Sequence, residues 1–128
     1  MHVVATTAIW ADVVASVGCD TRLRVETVVP SGSDPHAFDP SLADRAAMER
    51  ADLVVANGLG LEEGIVDTLS AVAGGGTPVF EFGAHVDARS YSSDRQADTH
   101  RDRLDPHLWL DPLKTRDALP ALADALVV

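Results

Sequence analysis

The sequence predicts an α/β lobe of three layers, a four-stranded and mainly parallel sheet with helices on both faces. Three observations carry this reading. Short β-branched apolar runs recur at residues 3–7, 23–29, 52–56 and 78–82. Segments of helical character, roughly ten residues each, lie between them, and strands alternating with helices imply parallel pairing through crossover connections. The runs are also continuous rather than alternating, as expected when both faces of a sheet are covered.

In order, Val3-Val4-Ala5-Thr6-Thr7 opens the chain as a buried strand. A helix follows over residues 9–17, with Ile9, Val13 and Val17 on one face and Gly18 as its stop. The second strand ends at Pro30, and Ser31-Gly32-Ser33 forms a turn. Pro40 opens a helix reaching Arg50, with Leu42 and Ala46 sharing a face and Ala47 beside it. The third strand closes at Asn57-Gly58, a helix over residues 61–73 stops at Gly74-Gly75-Gly76, and the fourth strand follows. From Gly83 to Leu104 the periodicity lapses into polar residues of mixed sign. Residues 84–104 are expected to form a mobile loop, because long structureless connections are uncommon in compact domains and are usually functional or disordered. Residues 1–128 as a whole read as a single lobe.

A chain of 128 residues suffices for one domain with one core. No apolar run nears the ~18 residues of a membrane span. The 10 basic and 20 acidic side chains leave a net charge of −10, which argues against a nucleic-acid partner. It is compatible with attracting cations, although most of these carboxylates read as solvated surface. Cys19 stands alone, which excludes a disulfide framework and a cysteine zinc cluster; beside a helix-ending glycine it reads as structural. No Ser or Cys sits in a nucleophile elbow. Met1-His2 leads straight into Val3-Val4-Ala5 with no basic segment ahead of it, so no signal peptide is read here. The start is that of a cytoplasmic protein, or a mature or supplied one. The apolar run 119–128 ends without a cap or polar tail, like a chain cut inside or just after a helix.

One motif occurs twice: Asp34-Pro35-His36-Ala37-Phe38-Asp39-Pro40 and Asp105-Pro106-His107-Leu108-Trp109-Leu110-Asp111-Pro112. Proline locks its own φ and pushes the residue before it towards an extended backbone, so each histidine sits on a rigid loop. The second Asp-Pro of each copy reads as a helix start, with Asp39 or Asp111 at the N-cap and Pro40 or Pro112 at the first helical position. Ligands of parallel α/β sheets bind beyond the carboxyl ends of the strands, where both loops can project. Two imidazoles brought together there would make half of a transition-metal site, and neutral imidazole is the commonest side-chain ligand of such ions. His36 and His107 are therefore the candidate metal ligands. Asp34 and Asp105 either hold the second ring nitrogen of each histidine or stabilise the turn.

The remaining candidates have plainer readings. His2 is a terminal bystander, and His85 and His100 are solvated loop residues. Trp10 and Trp109 are packing residues, the second also placed to shield the site from water. Asn57-Gly58-Leu59-Gly60 lacks the Lys-Ser/Thr of a phosphate cradle and the spacing of a dinucleotide fingerprint, and reads as a turn into the next helix.

The run Val28-Val29-Pro30-Ser31-Gly32-Ser33-Asp34-Pro35-His36, then Phe38-Asp39-Pro40-Ser41, then residues 51–62 with Asn57-Gly58-Leu59-Gly60-Leu61-Glu62, resembles the zinc/manganese ABC-transporter solute-binding proteins. Residues 105–112 resemble that family's second signature, and Val4-Ala5-Thr6-Thr7 with the Trp10 helix fits as well. The resemblance covers nearly the whole chain. It implies two α/β lobes joined by a long helix, with a divalent metal held between them outside the cytoplasm and handed to an ABC permease. The amino-terminal lobe of such receptors gives two histidines, matching His36 and His107, and the other lobe gives a His or Glu and an Asp.

This chain matches the first lobe only, which implies half of a tetrahedral Zn²⁺ shell, weak binding, and apolar surface able to self-associate. Zn²⁺ is the implied ion, with Mn²⁺ the alternative, since imidazole suits zinc and carboxylate oxygen suits manganese. Zinc-specific relatives often carry a His-rich loop before the second signature, and His85 and His100 supply only a sparse version of it. Cys19 does not match the lipid-anchoring cysteine of many relatives. Two other readings stay open: an adhesin-type interaction module, and a metallo-enzyme domain in which the two histidines hold a catalytic ion.

Overall fold

The computed structural model describes residues 1–19, 22–90 and 104–127. Within them the strands are β1 (His2–Ala5), β2 (Arg24–Thr27), β3 (Leu53–Ala56) and β4 (Val79–Glu81). The helices are α1 (Ala8–Gly18), α2 (Leu42–Glu49), α3 (Val66–Gly74) and α4 (Pro112–Leu126), with 3₁₀ turns at Phe82–His85 and Leu108–Leu110. All strand pairs are parallel, in the order β2-β1-β3-β4. The predicted class therefore stands. Most of the loop expected over 84–104, with His100 in it, lies outside the described residues. At its two ends Ser90 bridges to Leu104 in antiparallel fashion, and the Asp105 N–H donates to the Arg89 carbonyl.

Alternate residues of a strand face opposite sides, and each side has its own core. Val3, Ala5, Leu53, Val55 and Phe80 pack against Trp10 and Val14 of α1 and Ala118 and Leu122 of α4. Val4, Val54 and Ala56 pack on the other face against Met48 of α2 and Leu69 and Val72 of α3. This explains why the central runs Val3–Ala5 and Leu53–Ala56 carry no polar alternation; the edge strand β2 departs from that expectation, with Arg24 and Glu26 alternating with Val25 and none of its four residues buried. No described helix is long and apolar enough to cross a membrane.

Several elements depart from the sequence reading. The packed face of α1 is Trp10 and Val14, while Ile9 is 40% exposed. The left-handed residue that ends α1 is Cys19, with φ 42°, and Gly18 is the last helical residue. In the first motif copy Asp39-Pro40 does not start the helix. Ser41 is the N-cap, its hydroxyl accepting from the Asp44 N–H while the Asp44 carboxylate accepts from the Ser41 N–H. That reciprocal box satisfies two orphan donors at once, and it turns Leu42 out to solvent and Met48 in. The second copy behaves as expected: Asp111 caps α4 through the Leu113 and Lys114 N–H groups, with Pro112 at its first position. The helix expected from residue 61 begins at Val66: Gly58, Leu59 and Gly60 adopt positive φ, at 74°, 56° and 77°, and residues 61–65 continue as turns, with the Leu61 N–H donating to the Gly58 carbonyl and the Ile65 N–H to the Glu62 carbonyl.

The strand order places β1 between β2 and β3, so connections leaving β1 and β3 diverge to opposite faces of the sheet. A crevice opens outside the carboxyl ends of strands at such a reversal. Both Asp-Pro-His loops meet there.

Candidate metal centre

Each loop builds the same turn. The Asp34 carboxylate accepts from the His36 N–H at 2.9 Å, and the Asp105 carboxylate accepts from the His107 N–H at 3.0 Å. An aspartate bonded to the backbone two residues on mimics a turn and fixes the direction of the following side chain. Of the two readings left open for these aspartates, Asp34 shows the turn. Asp105 shows both, since its Oδ1 also lies 2.7 Å from His107 Nδ1. An ionised carboxylate only accepts, so in a neutral imidazole this contact places the proton on Nδ1 and leaves the lone pair on Nε2.

The two half-buried imidazoles come together, with ring centroids 5.8 Å apart and planes 57° to each other. A tetrahedral zinc with Zn–N bonds of about 2.0–2.1 Å would set two such rings roughly 5 Å apart. The observed ring spacing of 5.8 Å is close to that value. Trp109 meets His107 edge-on at 5.4 Å and covers one side of it. Among the described residues no third His, Cys, Asp or Glu joins the pair into a larger ligand group. His85 lies exposed and stacks on Phe80 at 4.6 Å, and His2 lies at the amino end of β1, 3.4 Å from Glu26.

Beneath the histidine loops runs a buried polar network that the sequence reading missed. Glu62 is 3% exposed, and Thr6 and Asn57 are fully buried. Glu62 Oε1 accepts from the Thr6 hydroxyl at 2.6 Å and the Asn57 N–H at 2.7 Å, and Oε2 accepts from the Gly58 N–H at 3.2 Å. The Asn57 side chain bridges outward, Oδ1 accepting from Trp10 Nε1 at 3.2 Å and Nδ2 donating to the Pro106 carbonyl at 2.8 Å. Trp10 in turn stacks on Phe82 at 3.8 Å. The expected packing role of Trp10 is thus joined to a polar one. The trace in the sequence is the acidic pair Glu62-Glu63 set between Leu61 and Ile65, both of which are buried.

Burial raises the Glu62 carboxyl above its ordinary value of 4.5, and the hydrogen bonds from Thr6, Asn57 and Gly58 oppose this without cancelling it. The folded protein therefore holds this proton more tightly than the unfolded chain. The resulting stability is complete below the unfolded value and is lost as pH rises through the folded one. Urea unfolding at stepped pH from 4 upward is expected to show the parent losing stability relative to Glu62→Gln over that window. Parallel pH profiles for the two proteins would sink the assignment.

A family model, ZnuA, zinc-uptake complex component A, periplasmic, matches residues 3–128. The chain belongs to this family. Among relatives of the ZnuA family, the chain is 32% identical over 130 residues to the manganese-binding lipoprotein MntA of Halalkalibacterium halodurans, a match covering 99% of this chain and 39% of MntA. The Mn-bound periplasmic metal binding protein from Candidatus Liberibacter asiaticus superposes with a TM-score of 0.72 at 26% identity, over 98% of this chain and 48% of that one. The periplasmic zinc binding protein TroA of Treponema pallidum shares the fold, with a TM-score of 0.76 at 22% identity over 98% of this chain and 42% of TroA. The chain thus spans less than half the length of each of these three relatives.

Proposed function

We propose that this lobe captures a divalent transition metal outside the cytoplasm for delivery to an ABC permease, with His36 and His107 as its ligands. The observation that carries this reading is the meeting of two imidazoles from separate loops at 5.8 Å, with Nδ1 of His107 in contact with the Asp105 carboxylate. Zn²⁺ is the preferred ion and Mn²⁺ the alternative, because a pair of neutral imidazoles suits zinc, whereas manganese favours oxygen ligands. Relatives named for manganese-binding and zinc-binding proteins support the class of ion without choosing within it. The role is binding rather than catalysis, in keeping with relatives named as metal ABC transporter substrate-binding lipoproteins. The same names support an extracytoplasmic location.

Half of a tetrahedral shell leaves two positions to water or to ligands from elsewhere. Titration calorimetry of this chain is accordingly expected to show weak, saturable Zn²⁺ binding at about one ion per chain, and weaker Mn²⁺ binding. No Zn²⁺ heat at millimolar protein would overturn the proposal.

A further inference from the structure

The connection from β3 to α3 touches both histidine loops. At one end, buried Asn57 donates from Nδ2 to the carbonyl of Pro106, the residue immediately before His107. At the other end, Gly64 lies so close to the first loop that a Cβ there would stand 2.2 Å from the Phe38 carbonyl oxygen, two residues beyond His36. Real Cβ atoms do not approach a backbone oxygen that closely, so any side chain at residue 64 displaces the His36 loop or the connection itself. Between these contacts the connection is stiff. Glu62 binds the Asn57 and Gly58 N–H groups and the Thr6 hydroxyl, and the Gly83 N–H donates to the Asn57 carbonyl at 2.8 Å. Leu59 holds a left-handed conformation that is unfavourable for a non-glycine residue, and such strain persists only where the surroundings determine the backbone.

We infer that residues 57–64 form a template that sets the separation of the two imidazoles, with Asn57 as the positioning residue for His107 and Gly64 as the seat of the His36 loop. The inference deepens the half-site proposed above and rests on it for its bearing on metal. Neither residue is a proposed metal ligand. Each acts through the backbone beside a ligand, so the expected effect is on the geometry of the pair and, through it, on affinity.

The test uses Asn57→Ala and Gly64→Ala in this chain, with two readouts. The first is the proton NMR cross-relaxation between the His36 and His107 rings in metal-free protein. The second is Zn²⁺ affinity by chelator competition, measured well below each variant's thermal midpoint so that only folded protein is compared. The template predicts a ring contact in the parent that is lost or weakened in both variants. It also predicts an affinity loss of about tenfold or more, the scale of outer-shell substitutions around metal sites, in chains whose core amide spectrum is unchanged. Loss of the ring contact in both variants supports the template even if the parent binds no zinc, an outcome that would sink only the half-site reading. Variants that keep the ring contact, or that bind Zn²⁺ within twofold of the parent where the parent binds it, overturn the inference.

Discussion

His36→Ala and His107→Ala are each expected to lower Zn²⁺ affinity by at least about a hundredfold, beyond the 10–100-fold range of outer-shell changes, because each removes a direct ligand. With two protein ligands available, losing one leaves a single imidazole, and a lone surface histidine has no chelate advantage over solvent. The double variant should therefore be scarcely worse than either single one. That non-additivity marks two groups acting on one ion. Calorimetry on the parent, both single variants and the double variant completes the cycle. Independent, additive losses would mean that the histidines bind separate ions, and unchanged binding in either single variant would remove that residue from the site. The fold should not suffer, since both rings are only half-buried and neither belongs to the two apolar clusters on the sheet.

The two copies of the motif are alike in sequence and unequal in structure. Asp34 and Asp105 both hold the backbone N–H of their histidine, but the contact to ring Nδ1 is made by Asp105. His107 is also flanked by Trp109 and tied through Pro106 to Asn57. His107 is thus the more preorganised of the pair. His36 sits on a loop held by its own turn hydrogen bonds and by the close approach of Gly64 to Phe38. If a metal selects one conformation of the site, the His36 loop is the part with room to move.

What could be read from the sequence, and what could not, follows from the range of the interactions involved. Strands such as Leu53–Ala56 were legible because a continuous apolar run has one good use in a parallel sheet. The start of α4 was legible because Asp111 caps it through its immediate neighbours. The histidines stood out because their context repeats. The face of α1 was not legible: Ile9, Trp10, Val13, Val14 and Val17 make the helix apolar most of the way round, so spacing alone does not choose the packed side. The start of α2 presented two competing caps, and Ser41 with Asp44 satisfies more donors than Asp39 can. The network under the site was hidden for a different reason. The partners of Glu62 and Asn57 include Thr6, Trp10 and Pro106, remote in the chain, and a carboxyl or amide is by default read as solvated.

Glu62→Ala is expected to be among the most destabilising single changes in this chain. It strips the acceptor from the Thr6 hydroxyl and from the Asn57 and Gly58 N–H groups, two of them in the fully buried Thr6 and Asn57. A buried donor left without a partner costs about 1–3 kcal/mol. Two of them, with the half-buried Gly58 N–H beside them and less the relief of no longer burying the carboxyl itself, give a loss of roughly 2–5 kcal/mol out of a typical total of about 5–15. The damage should also spread in a specific direction. Once the Asn57 N–H loses its acceptor, the Asn57 side chain is no longer fixed against Trp10 and Pro106, so the His107 loop loosens along with the connection. Glu62→Gln should cost less, because its amide oxygen still accepts from Thr6 and Asn57 while only the Gly58 N–H loses its partner. Urea unfolding of the parent and the two variants at constant m-value decides the matter. A Glu62→Ala loss below about 1 kcal/mol would place the carboxyl at an ordinary surface position. A loss equal to that of Glu62→Gln would mean that the three hydrogen bonds are not what holds the connection between β3 and α3 in place.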